Sequence, residues 1–321
     1  MKMVKKCFLA AGAALLGMCA ADGAPLLAAD FTQFHMPVSN PIYAGDARNV
    51  TMIRPIVLRQ SLPDEIKVVM PDGTKGEVEV GGNVDGVAVQ LSYAFNERFS
   101  LVAVKDGYVD CDPDNDQLND HSGFADLAAG LQYSFIYQPE NNFIVTGRLV
   151  YESTSGEKDA YQGNGDGNLA PAVLFLKGWD KLQFSGTVGL VLPFDTDEEN
   201  TMLYDAWHLS YAVTDWFRPL AEINHFHVLS AGDRDYADFV DSDHQTDLVA
   251  GIAAFNPCDI INLGGEHNDE NRNLVTMALG ARFRLTSWLD IGAVYEFPLT
   301  DDKETLLDDR ILVDAMITLN F

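Results

Sequence analysis

Cysteine is scarce in this chain. Of four in 321 residues, Cys7 and Cys19 fall in an N-terminal apolar stretch, which leaves only Cys111 and Cys258. An exported protein so poor in cysteine is not a disulfide scaffold, so strand or helix packing must hold it together. Long hydrophobic runs are missing as well: past the N-terminus no window reaches the ~18–20 uninterrupted apolar residues of a helical membrane span. Positive charge is in deficit, with 21 Lys and Arg against 48 Asp and Glu, a net charge of −27. That balance excludes nucleic acid as a partner, because its phosphates would be repelled. The usual signatures of catalysis are absent too: there is no Gly-x-Ser-x-Gly elbow, no His-Glu-x-x-His pair and no phosphate loop. Nothing here points to an enzyme.

What is present begins with an export signal. Lys2, Lys5 and Lys6 precede an apolar run from Cys7 to Ala20, and small residues follow, with cleavage expected after Ala21, Gly23 or Ala29. A lipoprotein reading through Leu16-Gly-Met-Cys19 is disfavoured, because a bulky Met precedes the cysteine. The expected organisation is a signal peptide over residues 1–23 (cleavage as late as 29), an extended segment over 24–49 and a β-barrel over 50–321. The 24–49 segment has no period and is broken by Pro25, Pro37 and Pro41. It could lie in the periplasm or in the barrel mouth.

The last eleven residues organise the remainder. Ile311, Val313, Ala315, Ile317, Leu319 and Phe321 are apolar, while the intervening Leu312, Asp314, Met316, Thr318 and Asn320 are mixed to polar. A period of two marks a strand with one apolar face. A chain that ends on an aromatic of that face resembles the closing strand of outer-membrane barrels, in which the terminal Phe (here Phe321) forms part of the signal read by the barrel-assembly machinery. Similar alternation recurs around Val87–Phe95, Leu127–Phe135, Val275–Leu285 and Leu289–Phe297. A soluble sandwich also alternates. Connections sorted by length argue against it, since tight turns such as Asn96–Arg98 and Thr286–Ser287 alternate with long acidic stretches such as Asp106–Gly123 and Ala231–Asp243. Short periplasmic turns against long outer loops are the asymmetry of an outer-membrane barrel. Leu91-Ser-Tyr-Ala-Phe95 returns as Leu131-Gln-Tyr-Ser-Phe135 and Leu209-Ser-Tyr-Ala-Val213, so one hairpin occupies about forty residues. Aromatics beside the turns (Phe99, Phe143, Trp216, Trp288) suit an interfacial belt. The fold class expected is all-β, a closed antiparallel transmembrane barrel of about fourteen strands, with twelve as the fallback.

Gly167-Asn-Leu-Ala-Pro-Ala-Val-Leu-Phe-Leu176, Ala221-Glu-Ile-Asn224, Leu279-Gly-Ala-Arg-Phe-Arg-Leu285 and Gly292-Ala-Val-Tyr-Glu-Phe-Pro-Leu-Thr300, with Ser39-Asn-Pro41 and Arg54-Pro55, carry a family likeness. They resemble the outer-membrane barrels grouped as the MetA-pathway of phenol degradation family, commonly described as transporters. The likeness spans most of 36–321, on degenerate strand patterns. It implies a Gram-negative outer-membrane protein in contact with lipid that passes small, aromatic or hydrophobic solutes, and it brings no catalytic residues. The alternative function is a structural or surface-interaction barrel with a filled lumen and no flux.

Parity places Arg54, Asp126, Arg148, Glu152, Arg218, Glu222, Asn224, Arg282, Arg284, Asp290, Glu296 and Asp314 on the lumen face. They could knit the interior as ion pairs or set solute selectivity. Asp110, Asp112, Asp114 and Asp116, with Asp120, alternate as in calcium loops. Gln117 stands where a turn glycine would help, and no acidic residue closes the loop, so a solvated loop that attracts calcium only loosely is the better reading. No other cofactor is expected. His225 and His227 share one strand face as a potential metal clip, but spacing reveals no third ligand. His208 and Ser210 share the inner face of another strand without an implied partner. Cys111, in an outer loop, and Cys258, in an inner turn, are at opposite ends of such a barrel and should not pair.

Overall fold

The structure is a computed structural model that describes residues 31–69, 75–114, 120–157, 160, 162–163, 165–196, 199–232, 273–301 and 305–319. The signal segment, Asp116, Cys258 and Phe321 therefore lie outside the described residues. The first strands are β1 (Met52–Ser61), β2 (Glu65–Val69), β3 (Lys75–Glu79), β4 (Asn83–Asn96), β5 (Phe99–Lys105), β6 (Tyr108–Asp112), β7 (His121–Phe124) and β8 (Ala128–Gln138). They are followed by β9 (Phe143–Glu152), β10 (Asn168–Trp179), β11 (Leu182–Pro193), β12 (Thr201–Tyr211), β13 (Phe217–Ser230), β14 (Asn273–Arg284), β15 (Leu289–Pro298) and β16 (Asp309–Thr318).

All pairings of the main sheet are antiparallel between neighbours, and β1 bonds to both β16 and β4, which closes the ring. Closure removes the free edges that would otherwise template association. The closed ring counts twelve strands: β1, β4, β5, β8 to β13, β14, β15 and β16. Strands β6 and β7 continue β5 and β8 beyond a break, and β2 with β3 forms a separate hairpin. The expectation of about fourteen strands is thus corrected to its fallback. In a count of fourteen, two strands fall between Asp243 and His267, outside the described residues. In their place β13 bonds directly to β14, from Phe217 against Phe283 to His227 against Asn273.

Strand parity is that of a barrel in lipid. On β16, Ile311 is 53% exposed and Val313 41%, whereas Leu312, Asp314 and Met316 are buried. Apolar outward rows include Leu91, Tyr93 and Phe95 on β4, and Leu131, Tyr133 and Phe135 on β8. A soluble sandwich would bury these. Aromatics cluster by the short turns: Phe95 stacks on Phe99, and Trp216 packs on Phe217 and Phe283. One short turn places Asn142, and another Asp180, at φ 48°, a left-handed backbone that Asn and Asp tolerate best after glycine.

Residues 31–49 lie inside the ring. Phe31, Phe34, Ile42, Tyr43 and Ala47 form one apolar cluster with Leu174, Leu176, Tyr204 and Phe226 of the inner wall. Tyr43 meets Tyr204 with ring centroids 4.6 Å apart and Phe226 edge-on at 5.7 Å. The inner wall is therefore not uniformly polar. Its apolar residues receive the segment that has no period of its own. Two glycines of the wall help make the fit: a Cβ on Gly178 would sit 2.1 Å from the Phe34 ring, and one on Gly292 would sit 2.8 Å from Val38 and 2.6 Å from the Asp314 carboxylate.

Candidate functional site

Eleven of the twelve residues assigned to the lumen by parity sit on inward rows of their strands, with Arg284 half-buried and the others buried; Asp126, also buried, lies between β7 and β8 and not on a strand. Their partners show how they work. Asp314 on β16 sits between two arginines: Arg54 Nε donates to its Oδ2 at 2.6 Å, while Arg282 Nη1 and Nη2 reach Oδ1 and Oδ2 at 2.9 and 2.8 Å. The same arginines reach on to the lumen segment. Arg54 Nη2 donates to the carbonyls of Pro37 and Val38 at 3.0 Å, and Arg282 Nε to that of Met36 at 2.8 Å. Two positive charges and one carboxylate are thus balanced by carbonyl dipoles, the satisfaction that buried charge requires.

Glu222 on β13 is the second anchor. Its Oε1 accepts from Val38 N at 2.9 Å, and its Oε2 accepts from Ser39 N at 2.7 Å and from the Ser39 hydroxyl. His208 Nδ1 lies 2.6 Å from Glu222 Oε1, and His208 Nε2 lies 3.0 Å from Ser210 Oγ. This connectivity is that of a nucleophile, a base and an acid. Here, however, Ser210 is only 3% exposed, and the carboxylate is committed to residues 38 and 39. The chain of bonds anchors the segment. Asn224 Nδ2 donates to Ser39 Oγ at 3.1 Å and to Glu296 Oε1 at 2.9 Å, and Glu296 pairs with Arg310.

Further along, Arg148 Nη2 donates to Tyr43 O at 2.8 Å, and Gln132 Nε2 to Arg48 O at 3.0 Å. His35 Nδ1 faces Asp290 Oδ2 at 3.1 Å, and Arg284 Nε donates to Asp290 Oδ1 at 3.0 Å. Within the segment, Arg48 closes on Asp46 and on the carbonyls of Phe31 and Phe34. Arg218 is buried, and its Nε has no hydrogen-bond partner among the described residues. Sequence reasoning did not reach His35, Asp46 and Arg48, because they stand outside any periodic strand. It also missed Arg310, which lies at the edge of the last alternating run.

A second feature lies in the wall. Along the edge of β4, Leu91–Asn96 bond to β5 and Asn83–Val87 to β6, so Ala88–Gln90 face the break between those strands. The Asp106 carboxylate accepts from Val89 N at 2.8 Å in place of a strand partner. Gly107 holds φ 128°, and a Cβ there would meet Val87 O at 2.4 Å, so the break is built around glycine. On the other side, Pro55 of β1 lacks an N–H, and the β1–β16 register skips Arg54 and Pro55. Between them lies an apolar depression of about 590 Å³ lined by Val57, Val87, Val89, Tyr108, Phe124 and Leu127 among others.

At the back of the break Lys105 Nζ, only 5% exposed, contacts Glu152 Oε1 at 2.6 Å and Asp126 Oδ2 at 3.6 Å. Asp126 also accepts from Gly156 N at 2.8 Å and Gly163 N at 3.1 Å. The β9–β10 connection is thereby tied over the break, with Ser153 N donating to Leu127 O and Glu157 N to Phe124 O. Lys105 escaped the sequence reading because alternation stops at the break.

Of the acidic candidates, Asp110 and Asp112 lie on β6 and Asp114 follows it, with Gly81 packed against the Asp114 side chain. Among the described residues no three His, Cys, Asp or Glu side chains converge as a metal site. Cys111 lies on β6 near the rim, where an outer loop was expected, and is a buried free thiol.

No family model matches the chain, and no curated protein sequence matches it. The likeness to the MetA-pathway family is therefore not confirmed at that level. Solved structures do resemble it. The COG4313 outer membrane channel from Pseudomonas putida F1 superposes with a TM-score of 0.58 at 13% identity, covering 89% of this chain and 100% of that one. The NanC porin superposes with a TM-score of 0.46 at 8% identity, covering 82% of this chain and 100% of that one. The KdgM porin gives 0.42 at 10% identity, covering 83% and 99%. Only the first likeness is close enough to carry an argument, and it establishes the fold, that of an outer-membrane β-barrel.

Proposed function

We propose that this protein is an outer-membrane channel for small apolar solutes, aromatic ones included, which pass down their own gradient. The observation that carries the reading is the apolar depression at the wall break, a solute-sized space on the face that meets lipid. A polar lumen alone would suit sugars or ions. A greasy recess in a stretch of wall where Pro55 and the β5–β6 break remove ladder bonds suits a molecule arriving from the bilayer. In this reading residues 31–49 gate the lumen, Arg54, Arg148, Glu222, Asn224, Arg282, Arg284 and Asp290 hold the gate closed, and the inward residues line the route when it withdraws. The short turns face the periplasm and the long acidic connections face outward.

The bonding of residues 31–49 also supports a second reading, a permanently filled barrel with no flux. One experiment separates them. Protein folded into liposomes is given a small aromatic hydrocarbon and, separately, arabinose, and entry is followed. The channel reading expects faster entry of the aromatic than in protein-free vesicles, and loss of the gain in a Leu127→Trp variant that fills the recess. Entry equal to protein-free vesicles for both solutes favours the filled barrel. Arabinose entry untouched by Leu127→Trp, with no aromatic gain, overturns the apolar assignment.

A further inference from the structure

The outward wall of the barrel is apolar over most of its height, with polar groups toward the long-loop rim, and one cluster of them spans β12 to β14. Asp205 on β12 lies directly across from His225 on β13, and His227 lies directly across from Asn273 on β14. His225 and His227, two residues apart on one strand, point to the same side, with rings 6.2 Å apart. His225 Nε2 and His227 Nδ1 each lie 3.0 Å from a single atom, Asn273 Oδ1. The other nitrogen of His225, Nδ1, lies 2.8 Å from Asp205 Oδ2, and Trp207 Nε1 donates to Asp205 Oδ1 at 2.6 Å. The His225 and Asp205 side chains retain 27% and 20% exposure, so the group is open from outside.

We propose that His225, His227 and Asn273 form a binding site for one divalent transition ion of the zinc, nickel or copper kind. The inference does not depend on whether the barrel conducts. Two imidazole nitrogens and an amide oxygen converge, and in a tetrahedral zinc site neighbouring donors stand about 3.3 Å apart. The 3.0 Å separations here need only a small relaxation to admit the ion. Asp205 completes the design. By accepting the Nδ1 proton it fixes the His225 tautomer, turning the Nε2 lone pair toward the ion, as carboxylates behind metal-bound histidines do. Trp207 in turn fixes Asp205. Imidazole donors select the late first-row ions, since calcium and magnesium want six or more oxygens or retain their waters. Three protein donors leave the fourth position outward, for water or an external anion. The sequence shows the His-x-His pair. The third donor, forty-six residues later in the chain, is brought in only by the direct pairing of β13 with β14.

The test uses full-length mature protein without a histidine tag, folded in detergent and stripped with EDTA, and titrated with zinc chloride by calorimetry and with cobalt chloride by visible absorption. Wild type is expected to bind one zinc per barrel and to give a tetrahedral cobalt spectrum. His225→Ala and His227→Ala should each abolish stoichiometric binding, and Asp205→Asn should weaken it about 10–100-fold as a positioning residue. Excess calcium chloride should not displace the zinc. Should an alanine variant fail to fold, judged by loss of the heat-modifiable gel shift, His225→Gln and His227→Gln keep the polar contacts and carry the same expectation. A wild-type barrel that binds no zinc, binding that survives both histidine replacements, or zinc displaced equally by calcium would overturn the site.

Discussion

Consider Glu222→Gln. In the wild type this carboxylate takes two backbone N–H groups and a hydroxyl of the lumen segment, from Val38 and Ser39, besides the His208 ring. A glutamine of the same size retains one acceptor oxygen, while its NH2 group faces donors where an acceptor is needed. At least one charge-assisted bond is lost, and such bonds are worth ~1.5–3 kcal/mol net. With a remaining donor pointed at a donor, the closed position weakens by about 3 kcal/mol. At ~1.4 kcal/mol per decade, the ratio of open to closed rises roughly a hundred-fold. Single-channel recording in planar bilayers reads that ratio directly as dwell time. Heat-modifiable migration, unchanged, would show that the barrel itself is intact. An open-to-closed ratio within about three-fold of wild type, in a folded Glu222→Gln barrel, would refute the gate's dependence on this anchor.

Three further outcomes follow from the same geometry. Gly178→Val should push Phe34 off its seat, because a Cβ alone would meet that ring at 2.1 Å, and should raise opening while the ring of strands persists; bilayer recording checks it. Asp314→Ala strands Arg54 and Arg282 beside each other without their shared carboxylate, and truncation of a buried ion pair costs ~3–5 kcal/mol; urea unfolding from detergent should show a lower midpoint, with Asp314→Asn intermediate. Lys105→Met removes the cation between Glu152 and Asp126, leaving like charges close together. That should loosen residues 153–157 over the wall break and speed protease cleavage there in folded protein.

The barrel itself was legible because it is written with a period of two. Ile311, Val313 and their row could face only lipid or a second sheet, and acidic loops of alternating length decided for lipid. The inward charges were legible for the same reason: once Leu131 is outward, Gln132 must be inward, and so on around the ring. Legibility failed where the period stops. The lumen segment has no alternation, and Arg54 and Arg282 hold it by the carbonyls of Met36, Pro37 and Val38, groups that every residue carries and no sequence advertises. Leu174, Leu176, Tyr204 and Phe226 were inward and apolar, which makes sense only once Phe34 and Tyr43 are known to lie against them. The break at Lys105–Gly107 reads in sequence as the start of a loop. Only pairing shows that β6 resumes the same wall. The surplus pair of strands came from extending a forty-residue repeat across residues that lie outside those described, whereas β13 bonds directly to β14.

The central claim is that residues 31–49 close a channel that is otherwise continuous, and deletion tests it most directly. Wild-type protein and a variant lacking residues 31–49, both folded by the gel-shift criterion, are compared for conductance in planar bilayers. The account predicts rare, brief openings in the wild type and a sustained, larger conductance in the variant, whose inward arginines and carboxylates then take water in place of the segment. A folded variant as silent as a protein-free bilayer would contradict it.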